Sequence, residues 1–355
     1  MRIPNKITMK RKLQLRNGLF LIGFIGVLIL GALLFSFTYS KDEITAENID
    51  GVIKEAYDQF KSVKEGKNAD YIPYLAKVDP NLYGIAVITT DGHVHLVGDI
   101  KYEFGIESIS KVMTLALAMQ ERGPKVIKDS IGANATGLPF NSITALETLG
   151  HESQNPMVNA GAIATASLIL PKNNKAEKWK KMHNYYNKFA GRELKVIDEL
   201  FKSEMETNQR NKSIAILLQS YNRIFDDPMI ALEVYTKQCS FGVNTKDLAV
   251  MAATLANSGI NPMTKEKLID AKDVPEILAV MSTAGLYENT GEWMYTVGLP
   301  AKSGVGGGIM AVVPRKMGIA VLAPPLDSAG NSVKAQKTIE YIADKLSLNL
   351  FSAKK

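Results

Sequence analysis

The chain has 355 residues, 46% of them hydrophobic and 22% charged, an ordinary globular composition with room for one or two domains. Its net charge of +6 does not mark a nucleic-acid-binding domain: Arg2, Lys6, Lys10, Arg11, Lys12 and Arg16 take six of the 42 Lys and Arg, leaving 36 against 36 Asp and Glu. The lone cysteine, Cys239, excludes an intrachain disulfide and a multi-cysteine metal site, and reads as a small buried hydrophobe.

Residues 18–39 carry no charge and follow a basic stretch, a run long enough to cross a bilayer as a helix. It lacks an A-x-A-like cleavage site and a lipobox cysteine, so it is read as an uncleaved single-pass membrane anchor, with a cleaved signal and a secreted or periplasmic domain as the alternative. The positive-inside rule then puts residues 1–17 in the cytoplasm, as a basic tail, and the domain at 45–350 across the membrane. Residues 84–89 and 93–98 flank Asp91-Gly92, which predicts a β-hairpin. His93 and His95 would share a strand face, but no third ligand follows at a suggestive spacing, so they read as ordinary strand histidines.

Residues 108–121 are apolar around most of the helical circumference and end at Gly123-Pro124, the pattern of a helix at the centre of a domain. A second small-residue helix is expected over 157–170. The lysine-rich 172–202, with Trp179, Tyr185 and Tyr186 interleaved, fits the solvated face of an amphipathic helix better than a nucleic-acid patch. A helix over 245–257, β-runs at 308–313 and 317–323 and a last amphipathic helix at about 331–346 complete the order. Strands at both ends and helices between them predict an α/β (α+β) domain, an antiparallel sheet built from both ends of the chain and flanked by helices, with a helical region.

The chemistry is concentrated at Ser108-Ile109-Ser110-Lys111. A serine hydroxyl is a weak nucleophile until a base takes its proton, and positions i and i+3 share a helix face. A lysine among apolar residues loses solvation and its pKa falls, which lets it act as that base. S-x-x-K alone is weak, since Ser352-Ala353-Lys354-Lys355 matches it in a charged tail. The second signal is Lys302-Ser303-Gly304 before Gly306-Gly307-Gly308. In serine hydrolases with S-x-x-K, a K-[TS]-G triplet on a strand edge lines the opposite wall, and its glycines leave N–H groups for an oxyanion.

Several segments extend these two motifs. They are Glu107 to Lys111, Ile131-Gly132-Ala133, Thr136 to Ser142, Pro156 to Ile163, Gln209-Arg210-Asn211, Tyr235 in VYTKQCS, Gly285-Leu286-Tyr287 and Val297 to Gly308. In this order, from about residue 50 to about 345, the chain resembles the bacterial-type glutaminases of the serine β-lactamase-like fold. The resemblance implies hydrolysis of L-glutamine to L-glutamate and ammonia through an acyl-enzyme on Ser108. It implies Lys111 as activator, Tyr235 as proton carrier, and the N–H groups of Ser108 and Val305 as oxyanion donors. Asn159, Glu204, Asn211 and Tyr287 would hold the substrate with Ser108 and Tyr235. No metal or organic cofactor is implied, and a dimeric or tetrameric homo-oligomer is.

A carboxylate such as Glu204 complements the substrate ammonium. Two other readings are a β-lactamase or transpeptidase, which the missing S-D-N triplet and Val305 after K-S-G argue against, and an anchored glutamine binder without catalysis, which the presence of both Ser108 and Lys111 argues against.

Overall fold

The computed structural model describes residues 45–148 and 154–352. Three short runs, GIAVIT, GIMAVV and MGIAVL, form the strands at the centre: β1 (Gly84–Thr89), β6 (Gly308–Val313) and β7 (Met317–Leu322). They lack apolar/polar alternation because both faces are covered. With β2 (Val94–Gly98) and β5 (Ala301–Ser303) they make a five-stranded antiparallel sheet in the order β2-β1-β7-β6-β5. The first and last thirds of the chain meet in its middle, where Ala86 faces Ala320 across β1 and β7.

On the sheet lie α1 (Ala46–Phe60), α10 (Thr245–Ala256) and α13 (Val333–Lys345), α1 against β1 and β2, α10 against β1, β6 and β7, and α13 against β6 and β7. A capping box between Asn244 and Asp247 starts α10, satisfying two of its free N–H groups. Its approach is so close that a Cβ on Gly318 would stand 2.3 Å from the Ala253 nitrogen, so only glycine fits there.

Between the two β-runs the chain is helical: α2 (Ser110–Arg122), α3 (Pro124–Ser130), α4 (Thr144–Thr148), α5 (Asn159–Leu168), α6 (Lys175–Ala190), α7 (Asp198–Glu206), α8 (Gln209–Ser220), α9 (Pro228–Cys239), then after α10, α11 (Val274–Ala284) and α12 (Thr290–Thr296). Every residue from Ser110 to Met119 is buried, as is all of α5, which makes these the core of the helical layer. In α6 the aromatic residues face inward: Trp179 stacks on Phe241 at 5.1 Å, and Tyr186 is fully buried. The lysines of the same helix lie mainly on the other side, as amphipathic spacing requires, although Lys178 is buried. A two-stranded ladder of β3 (Phe104–Gly105) with β4 (Gly242–Val243), extended by Ile106 N–H to Phe241 O at 2.9 Å, ties down the segment that leads into Ser108.

The expected membrane anchor needs correction. No helix among the described residues is long and apolar enough to cross a bilayer. Spanning takes about 20 apolar residues, whereas α6, with 16 residues, is rich in lysine. Residues 18–39, where the anchor was expected, lie outside the described residues. The transmembrane helix and the single-pass localisation that followed from it are therefore withdrawn. The two histidines are also not a pair: His95 is buried against Asp50 of α1 at 2.8 Å, while exposed His93 meets Asp91 at 2.9 Å in the turn.

Candidate active site

Ser108 sits in a single 3₁₀ turn, Glu107–Ile109, that runs straight into α2. Glu107 has φ of +51°, a conformation rare for a side chain with a Cβ and concentrated at functional sites. The turn brings Lys111 round beside Ser108, and Lys111 Nζ lies 2.5 Å from Ser108 Oγ. Lys111 is 1% exposed. Burial holds its pKa below the ordinary lysine value, against opposing pulls from Cys239, Glu107 and Glu204.

The facing wall is the turn after β5. A Cβ on Gly304 would come within 2.9 Å of Ile106 O and 3.2 Å of the Glu107 side chain, so this backbone lies directly on the Ser108 segment. Val305 follows, buried against Leu200 and Leu326, and its N–H has no acceptor among the described residues. Tyr287, at φ +58°, stands beside them. Its ring packs on Phe140 with centroids 4.5 Å apart, and its hydroxyl donates to Ser303 O at 3.4 Å. Burial raises the Tyr287 pKa, opposed by hydrogen bonds to Ser108 and Ser303.

A polar chain crosses the helical side. Tyr235 Oη on α9 donates to Asn159 Oδ1 at 3.0 Å, and Asn159 Nδ2 donates to Asn211 Oδ1 at 2.9 Å. Asn159 is the first residue of α5, yet its side chain bonds to Tyr235 and Asn211 instead of capping the helix. Lys111 Nζ is 5.3 Å from the Tyr235 ring centre, so Tyr235 adjoins the lysine while its hydroxyl is engaged by Asn159. Burial pushes the Tyr235 pKa well up.

Glu204 on α7 completes the cluster. It is half-buried and lies against Glu107. Burial raises the pKa of both carboxyls, and for Glu107 the neighbouring Glu204 adds to the rise. Lys111 and Tyr287 thus reach Ser108, Tyr235 adjoins Lys111, and Asn159 and Asn211 follow Tyr235 along one polar chain.

Two residues found here had no role in the sequence reading. Glu107 is buried and its Oε1 has no hydrogen-bond partner, and its place next to Ser108 was the available signal. Tyr71, which feels Tyr287, Glu107 and Glu204 electrostatically, comes from a loop tied to α7 by Tyr74 N–H to Ser203 Oγ at 3.2 Å. No motif marks it. Among the described residues no group of His, Cys, Asp and Glu is arranged to hold a metal ion.

Comparison with known proteins decides the family. The glutaminase family profile matches residues 66–351. The chain belongs to the glutaminase family. It is 55% identical over 303 residues to a glutaminase of Colwellia psychrerythraea, covering 85% of this chain and 97% of the relative. It is 52% identical to a glutaminase of Bacteroides thetaiotaomicron over 310 residues, 87% of this chain and 97% of that one. The solved structure of a probable glutaminase superposes with a TM-score of 0.85 at 48% identity, covering 87% of this chain and all of the other. The structural neighbours share the β-lactamase-like fold. The enzyme is therefore an amidohydrolase acting on the glutamine side-chain amide.

Proposed function

We propose that this glutaminase works through an acyl-enzyme on Ser108. Neutral Lys111 takes the Ser108 proton as Oγ attacks the side-chain carbonyl of L-glutamine. The tetrahedral oxyanion is held by the N–H groups of Ser108 and Val305. Collapse breaks the C–N bond, and the nitrogen leaves as ammonia after receiving a proton passed from Lys111 through Tyr235. Water, deprotonated by the same group, then cleaves the ester to L-glutamate and restores Ser108. Glu204 binds the substrate ammonium, while Asn159, Asn211, Tyr235 and Tyr287 orient the zwitterionic end. The catalytic domain in this reading spans residues 45–350.

The observation that carries the proposal is the 2.5 Å approach of Lys111 Nζ to Ser108 Oγ, with the lysine buried and its pKa depressed. The Val305 N–H on the facing turn, which has no acceptor among the described residues, supports the oxyanion site. Ammonia release from L-glutamine by the intact enzyme, beside its Ser108→Ala variant, is the test. Turnover is expected from the first and none from the second. A folded Ser108→Ala protein that still releases ammonia at a substantial rate would remove Ser108 from the nucleophile's role.

A further inference from the structure

Glu107 stands one residue before the nucleophile, yet the reaction as drawn gives it nothing to do. Its side chain is 3% exposed and fills a slot between the Ser108 segment and the turn after β5. Glycines make that slot. A Cβ on Gly105 would stand 3.2 Å from Glu107 Oε1, one on Gly304 3.2 Å from its Cβ, and one on Gly306 3.3 Å from its Cγ. Oε1 has no hydrogen-bond partner among the described residues. No ion pair among them includes Glu107 or Glu204. A buried carboxylate without a cation is costly, so this side chain is not held there as an ordinary charge.

The Glu107 carboxyl meets that of Glu204, which reaches in from α7, in a side-chain hydrogen bond. Ionised carboxylates only accept, so a bond between two carboxyls requires a proton on one of them. Two like charges so close, out of water, would also repel. The other titratable groups facing the pair do not relieve it. Burial keeps Tyr71, Tyr235, Tyr287 and Cys239 as neutral acids, and it holds Lys111 below the ordinary lysine value. The two carboxyls are not equivalent. Glu107 is buried and Glu204 only half-buried. Burial raises both, and the bond between them raises Glu107 further while opposing the rise at Glu204. The proton therefore belongs on Glu107 and the charge on Glu204.

We propose that Glu107 is a positioning residue in its protonated form, donating to Glu204 so that the two carboxyls share one proton and offer a single negative charge to the substrate ammonium. This rests on the reading of Glu204 as the ammonium's partner. No proton of the reaction passes through the pair.

The test joins infrared difference spectroscopy with KM from ammonia release, both on the full chain. The spectrum of the wild type at neutral pH, minus that of Glu107→Gln, should contain the C=O stretch of a protonated carboxyl. Absence of that band would overturn the proposal. Glu107→Leu removes the donor and should raise KM roughly tenfold, the worth of a hydrogen bond to a charged group. Losing the donor also lets Glu204 take a proton more readily, so the KM of Glu107→Leu should climb on acidification at a higher pH than that of the wild type. Glu107→Gln keeps a neutral donor at the same place and should rescue KM to within about threefold of the wild type. A Gln variant as impaired as Leu would mean that a charge had been removed, and would also overturn the proposal. If Glu107→Leu does not fold, the band and the Gln variant still decide. Glu204→Gln separates the two readings: an unchanged KM there strikes the ammonium contact, whereas a missing infrared band strikes only the shared proton.

Discussion

Lys178 and Lys111 both lie on helices with their side chains out of water, and they differ in what meets the amine. Lys178 on α6 forms an ion pair with Asp226 at 2.5 Å, both side chains fully shielded. Lys111 on α2 meets a serine hydroxyl at the same distance, with Glu107 and Glu204 near but not paired to it. Burial lowers the pKa of both, but for Lys178 the opposing hydrogen bond and the larger opposing charge come from Asp226, with a smaller pull from Glu121. A buried charge with a full partner holds two elements together. One without a partner is kept ready to lose its proton.

The largest effect should come from the unpaired lysine. Lys111→Met is expected to reduce kcat by roughly 10²–10⁴-fold, the contribution of a positioned acid–base group. Its stability should be unchanged or raised. Below the ordinary value of 10.5 the unfolded chain binds a proton that the folded Lys111 site resists. The stability Lys111 contributes is therefore present above 10.5 and lost as pH falls through its depressed folded pKa. The stability advantage of the variant, measured by denaturant titration, should thus grow toward lower pH across that window.

Asp226→Asn should show the reverse pattern. Leaving Lys178 buried and unpaired costs about 3–5 kcal/mol, with activity per folded molecule retained. If Asp226→Asn instead lost activity at full stability, the contrast between the two lysines would fail.

Glu204→Gln tests the carboxyl side of the cluster. Losing a charge-assisted bond of about 1.5–3 kcal/mol should raise KM by roughly 10- to 100-fold, with a smaller change in kcat. The smallest effect is on the pH profile. Wild-type kcat/KM should fall on the acid side as Lys111 becomes protonated, with an apparent pKa below 10.5. Glu204 raises the Lys111 pKa, so Glu204→Gln should move that limb to lower pH. A shift the other way would show that Glu204 does not act on Lys111 as a charge.

Much of this was visible in the residues. Asp91-Gly92 between apolar runs gave the hairpin, and the all-round apolar 108–121 gave a central helix, because turn chemistry and periodicity are local properties. The i, i+3 spacing placed Lys111 beside Ser108 for the same reason. Asn159, Glu204 and Asn211 came through family resemblance instead, since nothing local says that α5, α7 and α8 will bring them together. The role of Glu107 depends on how Gly304 and α7 pack against the Ser108 segment, and spacing carries no information on that. The anchor was a hydropathy argument about residues 18–39 alone, and the described residues offer it no support.

The pairing of β1 with β7 has a consequence for biosynthesis. Synthesis delivers β1 more than two hundred residues before the strand it must bond to, as the Gly84–Leu322 register shows. Until β7 leaves the ribosome, β1 has only β2 to pair with, and its other edge is bare and strongly apolar. Such long-range closure is slow, and it exposes an aggregation-prone edge in the interim. The same closure brings Val305 to Ser108, so a nascent chain stopped before the last strands would be both sticky and inactive. Ammonia production therefore begins only after the C-terminal strands have been made.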